Sequence, residues 1–361
     1  MVKSMYIHIP FCKSICSYCD FAKILYNEKY VMPYLEKLKN EVIDAYDGKE
    51  INTLYIGGGT PSCLKETELI YLSEIIKTIK LSDTYEFTFE CNIEDISPDL
   101  LILLKDMKVN RLSIGIESFN KCKLDFMNRK ADFKDVQEKI NLVRSYGFDN
   151  INLDLMYGLP GETLKDTKKD LKYILKLNPE HISTYSLIIE DHTMCKIRSD
   201  ENIDPEEEIK MYEYIVKTLK KKGYNHYEVS NFSKSGYQSK HNMTYWNNEE
   251  YYGFGLGASG YIEGFRYDNT KNIDAYLLSK YRESEVLMSK SDMMENEVML
   301  GLRKMEGINL QEFFDKYEIN MQDAFPIKPL IKNKELIYKD GYVYINPKYI
   351  YVMNELLLKL I

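Results

Sequence analysis

Six short β-rich runs alternate with five helical stretches between residues 6 and 187, and this alternation restricts the fold more than any other feature of the 361-residue chain. The runs are Tyr6–Ile9, Asn52–Ile56, Tyr85–Glu90, Arg111–Ile116, Asn150–Met156 and His181–Leu187. The helical stretches are Tyr30–Asp47, Glu66–Ile79, Pro98–Lys108, Phe133–Tyr146 and Leu164–Leu177. In the second of these, Leu69, Leu72, Ile75, Ile76 and Ile79 fall on one helical face. Strands separated by helices pair in parallel, because the connection must cross the sheet before the next strand begins. Right-handed crossovers repeated in succession curl a sheet into a barrel or partial barrel. An open doubly wound sheet is the alternative with the same pattern.

The rhythm ends after Leu187. Asp204-Pro205-Glu206-Glu207-Glu208 reads as a helix start, with a proline and acids in the first turn. Lys220-Lys221-Lys222-Gly223 reads as its end. Residues 228–266 are rich in Tyr, Gly and Asn. From Asp292 onward two short helices around a glycine turn are expected, then a hairpin through Asp340-Gly341 and a final helix. The expected organisation is a (β/α) domain over 1–222 and a smaller domain over 223–361. The second comprises a linking segment, 223–291, and a helical and β-wing module, 292–361.

A net charge of −8 leaves no basic surplus for nucleic acid, and none is expected as a partner. The 31 tyrosines read as base-composition bias rather than a binding surface. No apolar run reaches the roughly 18 residues that span a bilayer. Met1-Val2-Lys3-Ser4 leads directly into a strand, so no signal peptide is expected. A cytoplasmic location follows, where thiols stay reduced. The seven cysteines then read as ligands or small buried side chains, not bridges.

Three of them, Cys12, Cys16 and Cys19, stand as CxxxCxxC on the loop leaving the first strand. Structural zinc wants four closed ligands, and no second pair exists. A redox CxxC at Cys16–Cys19 would leave Cys12 idle. A 4Fe–4S cluster normally takes four thiolates, so three leave one iron open to a small-molecule ligand. Ile56-Gly57-Gly58-Gly59-Thr60-Pro61 follows the second strand; it lacks the GxGxxG pattern and the lysine of phosphate loops. Glu90 and Asp154 lie on the third and fifth strands, near the strand ends where barrels place their chemistry.

The cysteine loop, with Tyr18 just before its last thiol, resembles the signature of radical S-adenosylmethionine (SAM) enzymes. In that superfamily the open iron is chelated by SAM, and one electron from the cluster releases a 5′-deoxyadenosyl radical; the cofactor carries the chemistry. YIHIPFCKSICSYCDF, IGGGTP, RLSIGIESFN, NLDLMYGLPGET, HISTYSL, HNMTYW and the late MLGLRKMEGINLQEFF together resemble the oxygen-independent coproporphyrinogen III oxidase family over nearly the whole chain. The fold this implies is α/β, a partial (β/α)6 TIM-like barrel of the radical SAM type with a smaller C-terminal α+β domain. Phe21 in place of a fourth cysteine, and a strand starting at residue 5, resemble the heme-chaperone branch, implicated in holding heme and delivering it to respiratory proteins. The alternative is an oxygen-independent coproporphyrinogen III oxidase or another tetrapyrrole-modifying radical enzyme.

The resemblance implies Cys12, Cys16 and Cys19 as cluster ligands, and Tyr6 and Tyr18 lining the SAM site. Gly58, Gly59 and Thr60 would meet the methionine end; Glu90, Arg129 and Asp154 would hold the amino-acid and ribose groups. Glu117 stands in that site where the family has Gln, so it accepts but does not donate. Ala131 stands where the family has His, and Ser259-Gly260 where it has His-Ser; two imidazoles are missing, which weakens a catalytic reading more than a cofactor-binding one. His241 is the candidate heme ligand, while His181, His192 and His226 are given no role. The implied partners are SAM, heme or a porphyrinogen, a flavodoxin- or ferredoxin-type electron donor, and a heme-accepting protein.

Overall fold

A computed structural model of the chain describes residues 2–190, 193–198 and 203–361; His192 lies outside them. The chain divides into two compact units, Met1–Ile215 with Glu250–Val286, and Val216–Glu249 with Leu287–Ile361.

In the first unit seven strands form one parallel sheet: β1 (Ser4–Ile9), β2 (Ile51–Gly58), β3 (Leu81–Asn92), β4 (Arg111–Glu117), β5 (Ile151–Tyr157), β6 (His181–Ser186) and β7 (Tyr252–Phe254). The helices that connect β1 to β6 are α1 (Glu28–Ala45), α2 (Glu66–Ile76), α3 (Pro98–Asp106), α4 (Lys121–Met127), α5 (Phe133–Ser145) and α6 (Leu164–Leu177). The strand order is β7-β1-β2-β3-β4-β5-β6. A doubly wound sheet reverses its progression at a switch point; β1 to β6 advance without reversal. Right-handed crossovers then lay every helix on one face, and the other face becomes the lumen of a partial barrel. The oxidase-like α/β architecture expected from sequence is the one found.

The two faces differ in chemistry. Met5, Ile7, Leu54, Ile56, Phe87, Phe89, Leu112, Ile114, Leu153 and Ile182 share one side by their period of two, and all are buried. The opposite side carries polar groups at matched heights. Tyr6 stands beside Tyr55, Tyr55 beside Thr88, and Thr88 beside Arg111. One layer higher, Glu90, Ser113, Asn152 and His181 are neighbours in turn. Above them come Asn92, Gly115, Asp154 and Ser183. Cross-strand hydrogen bonds join the upper layers: Asn152 Nδ2 donates to Ser113 Oγ at 2.8 Å, and Ser183 Oγ donates to Asn152 Oδ1 at 3.0 Å.

The second unit holds an antiparallel hairpin (Asn225–Glu228 with Asn231–Ser233) and the helices Lys240–Trp246, Lys290–Gly301 and Leu310–Tyr317. Its three-stranded sheet joins Ile308–Asn309, Tyr342–Ile345 and Leu336–Lys339. The hairpin turn is the expected Asp340-Gly341, with φ of 51° and 85°, the pair of positive values a type I′ turn requires.

Candidate cofactor-binding site

Pro10 has no N–H to give the sheet, and β1 ends before it. Phe11–Cys12 then forms a two-residue parallel ladder with Ile24–Leu25. The Ile24 N–H donates to Pro10 O at 2.7 Å and the Tyr26 N–H to Cys12 O at 2.8 Å, which clamps the base of the cysteine loop. Within it the Cys19 N–H donates to Cys16 O at 3.3 Å. Burial pushes the Cys12 thiol up to about 11, against an opposing hydrogen bond from Thr60 Oγ1 at 3.6 Å, and raises Cys19 for the same reason. Without a metal these two thiols are protonated at neutral pH, so loading must release protons.

The glycine turn after β2 packs directly on the strand that leads to Cys12. The Gly59 N–H donates to Ile9 O and the Thr60 N–H to Phe11 O, both at 2.8 Å. Gly58 has φ +122°, and a Cβ there would lie 2.6 Å from the His8 ring. His8 is buried, its Nδ1 accepting from Tyr6 OH at 2.9 Å and its Nε2–H donating to Ala22 O at 2.7 Å. Burial lowers its pKa to about 4 and keeps the ring neutral. Glu90 receives Tyr55 OH at 2.6 Å and the Gly58 N–H at 3.1 Å; burial nevertheless raises its pKa.

Arg129 is the hub of the opposite side. Its Nη1 lies 3.5 Å from Cys16 Sγ, 3.2 Å from Tyr18 OH and 3.5 Å from Glu117 Oε1. Its Nη2 donates to Asn92 Oδ1 and Gly115 O, both at 3.0 Å. Tyr18 OH donates to Glu117 Oε1 at 3.0 Å. Glu117 sits at a register shift against β5 with φ +66°, a left-handed conformation that bulky residues avoid. Asp154 neighbours Gly115 and accepts from Asn152 Nδ2 at 2.8 Å. Burial, reinforced by the Glu117 charge, pushes its pKa up to about 7.

The structure thus draws Tyr18, Gly58, Gly59, Thr60, Glu90, Glu117, Arg129 and Asp154 toward the ends of the strands where the three cysteines lie, while Tyr6 stands mid-strand in the lowest layer, its hydroxyl on His8. His241 belongs to the other unit; it is buried, with its Nε2 hydrogen-bonded to Tyr245 OH at 2.8 Å. Ala131 packs against the apolar group of Leu124, Met127, Met156 and Leu159. Ser259 is exposed and donates to Asp268 Oδ1 at 2.6 Å. Tyr55, Asn92 and Asn152 complete the layers and were missed in the sequence; the polar-apolar alternation of successive strands was the signal that could have found them.

The radical SAM superfamily matches residues 6–174. The heme chaperone HemW of Lactococcus lactis is 41% identical over 347 residues, spanning 93% of this chain and 91% of that one. The heme chaperone HemW of Bacillus subtilis is 40% identical over 356 residues, spanning 92% and 94%. The chain belongs to the HemW family of the radical SAM superfamily. Among solved structures, coproporphyrinogen III oxidase (HemN) from Escherichia coli superposes with a TM-score of 0.87 over 99% of this chain and 89% of that one, at 21% identity, a likeness of fold.

Membership in the superfamily implies a 4Fe–4S cluster and SAM. The donor set fits. Three thiols share one clamped loop, and none is tied up in a disulfide. Among the described residues no three His, Cys, Asp or Glu side chains converge as a single ion would need. A cubane asks for something else, since each thiolate takes its own iron corner. Among the described residues no helix is long and apolar enough to cross a membrane.

Proposed function

We propose that this chain is a heme-trafficking protein that holds a 4Fe–4S cluster through Cys12, Cys16 and Cys19 and binds SAM beside it. The observation that carries the reading is the contact of Arg129 with both Cys16 and the buried polar layer, in a chain 41% identical to a heme chaperone. When bound, the cluster would supply one electron to the sulfonium of SAM. The protein's part is to bind and orient. Thr60 and the glycine turn would border the methionine end. The guanidinium of Arg129 suits a carboxylate through paired N–H donors. Glu90 and Asp154 offer acceptors for an ammonium or ribose hydroxyls. Phe21, two residues beyond Cys19, is 69% exposed and supplies no fourth thiolate.

Heme is the proposed cargo, and His241 its proposed ligand; Tyr245 must release the imidazole Nε2 for iron to reach that nitrogen. A flavodoxin- or ferredoxin-type donor and a heme-accepting protein complete the proposal. A second reading, a radical enzyme acting on a porphyrinogen, draws support from the presence of Glu90, Arg129 and Asp154 together at the site.

Anaerobic reconstitution tests both. The parent should show a brown band near about 400 nm that Cys16→Ala abolishes, and its reduced cluster signal should change with SAM. Stable heme uptake without loss of coproporphyrinogen supports trafficking, whereas coproporphyrinogen consumption with reductant and SAM supports the enzyme. A cluster signal indifferent to SAM defeats both.

A further inference from the structure

We propose that Asn128, the C-terminal cap of α4, is a positioning residue that locks the three-cysteine loop to the Arg129 side of the SAM site. The inference rests on the cluster-binding reading above.

Helix α4 is only seven residues long, yet it is fixed at both ends. At its start the Asn120 side chain accepts from the N–H groups of Cys122 and Lys123. Lys123 is buried, and its Nζ reaches Glu162 Oε1 at 2.8 Å, Asp170 Oδ2 at 3.0 Å and Met156 O at 2.8 Å. The remaining oxygens are also served: Leu159 N–H donates to Glu162 Oε2, and Phe119 N–H to Asp170 Oδ1. A buried ion group with every oxygen paired resists sliding, because any displacement strands a charge.

The far end of this anchored helix grips the loop. The Ser17 N–H donates to Met127 O at 3.2 Å and the Ser17 hydroxyl to Phe126 O. Asn128 Nδ2 donates to Ser14 Oγ at 3.0 Å and Ile15 O at 3.1 Å. Residues 14, 15 and 17 lie between the cysteines, so three consecutive helix-end residues set the path of the chain that carries the thiols. The next residue, Arg129, reaches the Cys16 thiol itself.

Position 128 makes two demands at once. Its φ of 57° and ψ of 45° lie in the left-handed region, which turns the chain so that Arg129 enters the site. Its side chain must also donate two N–H bonds across the gap. Glycine meets the first demand only, and aspartate supplies acceptors where donors are needed; asparagine meets both.

The test uses the full chain with Asn128→Gly, Ser14→Ala and the double variant, each reconstituted anaerobically. The readouts are the melting midpoint of the apo protein, iron loss to a chelator, and SAM affinity from the shift of the reduced cluster signal. Asn128→Gly should melt within about 2 °C of the parent, since the turn is kept and the lost bonds are exposed. It should lose iron about tenfold faster and bind SAM about tenfold more weakly. Ser14→Ala should show a smaller change of the same sign, and none when added to Asn128→Gly. Iron loss at the parent's rate in either single variant, or additive effects in the double, overturns the assignment. A parent that takes up no cluster overturns the cluster reading itself along with it.

Discussion

Gly59→Ala isolates the packing of the glycine turn on the strand that leads to Cys12. A Cβ at position 59 would lie 2.7 Å from the carbonyl carbon of Pro10 and 2.8 Å from Phe11 O. Both are backbone atoms, so no side chain can swing aside. Overpacking of this kind costs about 1–3 kcal/mol. Relief requires the turn to retreat from β1, which stretches the bonds to Ile9 O and Phe11 O, each worth about 1 kcal/mol. The expected loss is about 2–5 kcal/mol, a large share of a domain's typical 5–15. Gly161→Ala is the control: its φ of +73° strains any L residue, but no heavy atom lies within 4 Å of the added carbon. It should lose about 1–2 kcal/mol. Urea denaturation of the apo proteins compares the midpoints. Gly59→Ala should also reconstitute with less iron than Gly161→Ala, because Cys12 follows Phe11 directly. If the Gly59 variant unfolds at or above the midpoint of the Gly161 variant, the contact with β1 does not constrain the turn.

Three further outcomes are expected. Asp154 has a folded pKa of about 7 against an ordinary 3.8, so folding takes up its proton between those values. The stability of the protonated form is complete below pH 3.8 and is lost as pH rises through 7; Asp154→Asn should gain on the parent across that window, by up to about 4 kcal/mol in apo unfolding. Arg129→Lys keeps the charge but loses the planar fork whose Nη1 reaches Tyr18 while its Nη2 reaches Asn92 and Gly115, so SAM affinity by titration should fall about tenfold or more. Glu41, on α1, is buried and accepts from the Gly255 N–H at 2.9 Å, Asn269 Nδ2 at 2.7 Å and Tyr276 OH at 2.6 Å. Glu41→Ala should cost about 3 kcal/mol or more in denaturant unfolding, since the buried Gly255 N–H and Tyr276 hydroxyl lose their acceptor and Asn269 Nδ2 keeps only Gly255 O.

What the sequence disclosed and withheld follows from length and period. Strands β1 to β6 were visible because each is bounded by a long helix with a clear apolar face. The sequence pattern starts β3 at Tyr85 rather than Leu81, since Leu81–Thr84 is half exposed and has no alternation. Helix α4 leaves no sequence signal: seven residues give barely two turns, too few for a face to show. Strand β7 was hidden in a Tyr- and Gly-rich stretch, because three residues carry no period at all. At the site, the cysteine spacing and the glycine turn were legible as local patterns. The grip of residues 126–128 on the loop was not, because it joins residues more than 100 positions apart through backbone carbonyls and a side-chain amide. Nor could the pattern predict that Glu117 would adopt φ +66° and face Tyr18 and Arg129.

The late arrival of β7 has a consequence for biosynthesis. Its residues Tyr252, Gly253 and Phe254 cover the outer edge of β1, through Met5, Tyr6 and Ile7. On a ribosome adding about 5–20 residues per second, that edge stands open for about 10–50 s after β1 emerges. Throughout that interval the nascent polypeptide exposes a sticky β margin. Closure of that edge therefore waits until about seven-tenths of the chain, through Phe254, has been made.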